Sequence, residues 1–193
     1  MKRTSPFAAA AAAAALLAVS TSAAWNVRAR AQSAPPAPLA PVVPEADGYV
    51  PLPGAAVPPD AKRTYRAVFD ATRAAPAPDK LAPALNMAGA GLNTLGAGGV
   101  PPRNARFVVV FHGAALDAVL DDAHYRAKHG VANPNLKALA RLRKAGVALY
   151  ACGQNLAAEN IDRKALCGDV TVASDALLVL IAYQNDGYAL MSY

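Results

Sequence analysis

Val147-Ala-Leu-Tyr-Ala-Cys152-Gly-Gln154 is the stretch on which the reading of this 193-residue chain turns. A short β-branched and aliphatic run of this kind reads as a strand buried in a parallel sheet, and Gly153 permits a sharp exit from it. Arg106-Phe-Val-Val-Val-Phe-His112-Gly113 repeats the pattern: a continuous apolar run, a reactive side chain, then glycine. Such a run has both faces covered, as in a central parallel strand. In open α/β sheets, ligands and chemistry gather outside the carboxyl ends of the strands. Cys152 and His112 both stand at such ends.

Working outward, Thr64–Asp70 reads as the first strand, Val170–Ala173 as the fourth and Tyr188–Tyr193 as the last. Between them lie helical patterns. Leu81, Leu85, Ala88, Leu92 and Leu95 recur at spacings of three and four, with Asp79 as a candidate N-cap. Asn86 and Asn93 share one face of that helix and suit surface or interhelical hydrogen bonding. Leu116 to Ala123 reads as helical, and Asn133-Pro-Asn135 opens another helix, whose Leu136, Leu139 and Leu142 face inward. One short helix is expected within Asn155–Leu166. Ser174 is expected to cap a final helix that packs Leu177, Leu178, Ile181 and Ala182 inward. Regular alternation of strand and helix makes a three-layer α/β/α sandwich, with a mainly parallel five-stranded sheet, the economical fold.

The chain opens with Met1-Lys-Arg and an alanine-dominated run from Phe7 to about Val19, too short to span a bilayer, which needs roughly 20 apolar residues. This reads as a secretory signal peptide cleaved after Ala24 or, preferably, Ala31; an uncleaved anchor is the competing reading. The formal charge of +6 then falls by four to +2, because Lys2, Arg3, Arg28 and Arg30 leave and no acid does. So small a charge, with no basic stripe, gives no support to nucleic-acid binding. Residues 32–60 are dense in proline and read as a semi-rigid linker, with Tyr49-Val-Pro-Leu-Pro as a segment that could clasp the domain. Residues 61–193 fit one α/β domain. The expected location is periplasmic or secreted, with no membrane association after cleavage.

If neighbouring strands run parallel, His112, Cys152 and Ser174 with Asp175 emerge on one edge. A thiol beside a helix amino end or an imidazolium gains reactivity, and His112 could serve as base. Gly113, Gly153, Gln154 and Ser174 would rim such a site. Two bland readings compete: Cys152 as a small core hydrophobe, and His112 as a structural hydrogen-bonding group. A Cys152–Cys167 disulfide is a third option, closing a loop of about 15 residues worth on the order of 3 kcal/mol. His124 and His129 are five apart and poorly placed to share a metal. No metal site and no cofactor are expected, since phosphate-loop, GxSxG and CxxC patterns are all missing.

Taken together, Phe107-Val-Val-Val-Phe-His112-Gly113, Tyr125, Asn133-Pro-Asn135, Ala145-Gly-Val147, Cys152-Gly-Gln154, Val170–Ser174 and Gly187-Tyr188 resemble, in order and spacing, the DsrE/DsrF-like family. That group includes the sulfur-relay DsrE and TusD subunits. The likeness spans roughly residues 63–193 and is to an exported, single-domain branch. It implies an α/β sandwich assembled as a homotrimer or hexamer, a cysteine that carries sulfur as a persulfide, and a sulfur donor or acceptor protein as partner. Cys152 is then the reactive candidate and His112 its helper, with Asn133 among the binding residues. Fold transfers on such a likeness; activity transfers only by analogy.

Overall fold

In a computed structural model, which describes residues 36–192, five strands form one sheet. They are β1 (Tyr65–Ala71), β2 (Ala105–Phe111), β3 (Ala148–Cys152), β4 (Thr171–Ala173) and β5 (Ala189–Ser192), in the order β4-β3-β2-β1-β5. Every pairing is parallel. The strands fall where the apolar runs placed them, because runs apolar on both faces can be satisfied only in the middle layer of a sandwich. The signal-peptide reading lies outside the described residues. No helix among the described residues is long and apolar enough to cross a membrane.

Side chains alternate along each strand, so the sheet has two faces. On one, Phe69, Phe107, Val109, Phe111 and Leu149 pack under α1 (Pro83–Ala97), α3 (Leu136–Lys144), α4 (Gly153–Ala158) and a 3-10 segment, Gly113–Val119. On the other, Val68, Val108, Val110 and Cys152 meet α5 (Ala176–Asn185), through Ala176 and Val179. The last of these helices differs from its expected orientation. Leu177, Leu178 and Ile181 are exposed, and Ala176, Val179, Leu180 and Tyr183 face the sheet. Ala-Leu-Leu-Val-Leu-Ile-Ala is apolar all round, so its spacing could not select a face.

Local start signals also differ. Helix α1 starts at Pro83 with Ala82 as its uncapped leading residue, and Asp79 pairs with Lys80 at 3.4 Å instead. The helix read over Leu116–Ala123 splits into the 3-10 segment and α2 (Asp122–His129), because Asp121 accepts the His124 N–H and starts a new helix. Asn135 stands at the head of α3 without capping it; its Oδ1 accepts the Ala82 N–H at 2.8 Å. At α5 the cap is Asp175, which accepts the Leu177 N–H at 3.0 Å, one residue beyond Ser174.

The proline-rich segment is not a bare spacer over the described part. Leu39 and Tyr49 exchange two backbone hydrogen bonds of 2.8 Å, closing a loop whose Val43 is fully buried. Asn93, on α1, holds that loop from below. Its Oδ1 accepts the N–H groups of Val42 and Val43, and its Nδ2 donates to the carbonyls of Val43 and Asp47. Two turns earlier, Asn86 accepts the Asp47 N–H and donates to its carboxylate. Both asparagines therefore grip the arm, rather than another helix. The arm lies so close that a Cβ at Gly89 would come within 2.5 Å of Ala46 Cβ.

Candidate functional site

All five strands end their carboxyl termini on one edge, and four of them, β1 to β4, bring polar or reactive groups there. The register pairs Phe111 with Ala151. One step further, His112 and Cys152 leave adjacent strands at the same level, with backbones about 5 Å apart. By alternation both side chains point to the α5 face, as do Val108 and Val110.

Asp70, near the end of β1, shares that face. Its Oδ1 lies 2.6 Å from His112 Nε2, and both side chains are about a quarter exposed. The carboxylate fixes which imidazole nitrogen faces it and holds the ring in place. Asp70 was missed as a site residue, although an acid following the apolar run Ala67-Val-Phe69 at the strand's carboxyl end was a usable signal. Gly113, which follows, has φ +53°, and its N–H donates to Asn155 Oδ1 at 3.3 Å. That bond ties the turn after β2 to α4.

Cys152 is 2% exposed and packs among valines of β1, β2 and α5. Its sulfur has two polar contacts: the Ala176 N–H donates to Sγ at 3.3 Å, and the S–H points to Asp175 Oδ1 at 3.8 Å. The thiol is therefore seated against the amino end of α5. The thiol's acceptor is Asp175 and the imidazole's partner is Asp70, so the two expected partners are register neighbours serving different carboxylates. Gly153 is required here by contact, since a Cβ would fall 2.7 Å from the Ala173 carbonyl. Gln154 Nε2 donates to the Ser174 carbonyl at 3.4 Å. Gly153, Gln154 and Ser174, with Arg163, line an open cleft of about 410 Å³ beside β4.

One expected site residue moves, and one open option closes. Asn133 is not on this rim: its Nδ2 donates to the carbonyls of Ala118 and Leu120, and its Oδ1 accepts from Asn135. With its amide fully used, it ties loops together and has nothing left for a ligand. Both cysteines are free. They lie on opposite faces of the sheet, Cys152 under α5 and Cys167 against the larger core, so the disulfide option falls away. Burial pushes the Cys167 thiol above its ordinary value. His124 and His129 turn to separate acids, Asp121 at 2.9 Å and Asp117 at 2.9 Å.

Chemically, the edge offers a sheltered sulfur with a backbone N–H aimed at it and, one strand away, an acid-held imidazole that can accept or return a proton. The family model for "DsrE/DsrF-like family" matches residues 58–193. Among solved structures, the chain resembles a protein of unknown function, MTH1491, from Methanobacterium thermoautotrophicum. The identity is 19%, the likeness covers 67% of this chain and 99% of that one, and the TM-score is 0.47. No curated protein matches the chain. Because the family match takes in all five strands and the whole carboxyl edge, the chain belongs to the DsrE/DsrF-like family.

Proposed function

We propose that this protein is an exported, periplasmic or secreted member of its family in which Cys152, assisted by His112, takes part in sulfur or thiol-redox transfer. The observation that carries the reading is the seat of the sulfur, at the end of β3 with the Ala176 N–H directed at it and the Asp70-held imidazole leaving the adjacent strand at the same level. Export rests on the basic start and the apolar run from Phe7 to about Val19. In the transfer step, the Cys152 thiol gives its proton to His112, and the thiolate attacks the outer sulfur of a donor persulfide. The donor's S–S bond breaks, and its inner sulfur leaves with the electron pair and takes the proton from the imidazolium. Cys152 keeps the outer sulfur as a persulfide, and no external oxidant is consumed. Because the sulfur is buried, the amino end of α5 must shift to admit the donor, across the rim formed by Gly113, Gly153, Gln154 and Ser174.

The same burial favours a second reading, a non-catalytic oligomeric small-molecule-binding module in which Cys152 is structural. Assembly as a homotrimer or hexamer belongs to both readings and is supported by the exposed Leu177, Leu178 and Ile181. Treating the purified protein with a small-molecule persulfide, then locating added sulfur by peptide mass spectrometry, separates the two. Sulfur added at Cys152, absent in Cys152→Ser and slowed in His112→Ala, supports transfer. A Cys152 that stays unmodified sinks the transfer and leaves the binding module.

A further inference from the structure

A second concavity lies away from Cys152, at the amino half of the sheet between α1 and the edge strand β5. It is an open groove of about 960 Å³, at the upper end of the range for small-molecule sites. Its walls are apolar: Phe69 and Phe107, tilted against each other with centroids 5.2 Å apart, and Leu95. Met87 and Met191 complete them, and these are the two methionines among the described residues. Methionine is flexible and polarisable, and it accumulates on surfaces that must fit a varied apolar guest. Gly91 keeps the floor open, because a Cβ there would come 3.0 Å from the Phe107 ring.

Charge at the groove is one-sided. Arg63 and Arg66 line it and no acid does. Arg63 lies over the Tyr65 ring at 5.8 Å, and neither arginine has a carboxylate within ion-pair distance among the described residues. An apolar trough lined by two guanidinium groups that no carboxylate among the described residues pairs suits a guest with a flat or chain-like apolar body and one acidic end. We propose that this groove binds an amphipathic organic anion, the body lying against Phe69, Phe107, Met87 and Met191 and the acid meeting Arg63. The inference does not rest on the chemistry of Cys152, and it holds whether or not that thiol transfers sulfur.

The test uses the purified protein carrying 13C-methyl methionine, with 8-anilinonaphthalene-1-sulfonate as anionic probe and N-phenyl-1-naphthylamine as its uncharged counterpart. Met87 and Met191 report from inside the groove. Both methyl resonances should shift saturably, with the sulfonate binding roughly threefold tighter, the size of an exposed ion pair. Arg63→Glu should erase that preference while the neutral probe still binds. Gly91→Leu, which fills the trough, should weaken both probes about tenfold or more, with the helical dichroism retained. If Gly91→Leu unfolds the protein, the Arg63→Glu comparison still decides. Methyl signals that ignore the probes overturn the proposal, as does probe binding indifferent to both substitutions. So do methyl signals that instead follow protein concentration in step with the sedimentation coefficient, since a second copy then fills the groove.

Discussion

The two faces of the sheet are built to different standards. One is covered by three helices, a 3-10 segment and the proline-rich arm, and holds Leu85, Leu116, Leu139, Leu142 and Leu149 with no more than 1% exposure. The other has α5 alone, with a smaller cluster beneath it and Leu177, Leu178 and Ile181 turned outward. Asp70, His112, Cys152 and Asp175 all belong to this thinner side. The difference teaches that the larger core and the polar groups at the strand ends are separated across the sheet. The thick face fixes the strands, so the thin face can hold polar groups at the strand ends and keep apolar surface uncovered.

That contrast makes its largest prediction at paired leucines. Leu139→Ala empties a fully buried site and should cost about 2–5 kcal/mol in denaturant unfolding. Leu178→Ala, on a residue 57% exposed, should stay within about 0.5 kcal/mol. Equal losses would mean that α5 is buried in the free protein and that the two faces do not differ.

Next in size is the arm. Asn93→Ala strips partners from the N–H groups of Val42 and Val43 and from two carbonyls, with Val43 itself sealed inside. Leaving buried backbone groups unmatched should cost about 1–3 kcal/mol and make residues 41–47 accessible to proteases. Arm cleavage as slow as in the unsubstituted protein would show that Asn93 does not hold it.

The thin face should reveal itself in association. Leu177→Ser with Ile181→Ser should change unfolding free energy of the isolated chain by less than about 1 kcal/mol, yet lower the sedimentation coefficient at high protein concentration. An unchanged coefficient would mean that copies meet elsewhere.

How much of this was readable beforehand follows the same divide. Strands β2 and β3 declared themselves, because Phe107–Phe111 and Val147–Cys152 are apolar at every position and can sit only in a central layer. The carboxyl edge followed from parallel topology, and it brought His112 and Cys152 to adjacent positions. Partner choice did not follow. Asp70 reaches His112 from another strand across 42 residues of sequence, and Asp175 reaches Cys152 across 23, and no local pattern encodes either pairing. The arm was opaque for a related reason. Proline-rich composition looks alike in a spacer and in a docked strap, and what docks it, Asn93 with Gly89, lies about 50 residues away on α1. For α5 the difficulty was an excess of apolar residues, which left more than one face eligible for burial.

The smallest effect expected is electrostatic and sits at the start of α2, outside both faces. Asp121 accepts the His124 N–H at 2.8 Å and lies 2.9 Å from the same residue's imidazole. Those hydrogen bonds hold its carboxyl below the ordinary value of 3.8. Because the folded value is depressed, the capping contribution is present above the ordinary value and disappears as pH falls through the folded one. The group is exposed, so solvent screens it and the consequence for global stability is slight. It should be visible locally. A carboxyl-carbon NMR titration of Asp121 should show a midpoint below 3.8, with the His124 amide shift following the same curve. A midpoint at or above that value, or an amide that ignores it, would show that the cap is not formed in solution. The helix would then start without the carboxylate, and the break between the 3-10 segment and α2 would need another cause.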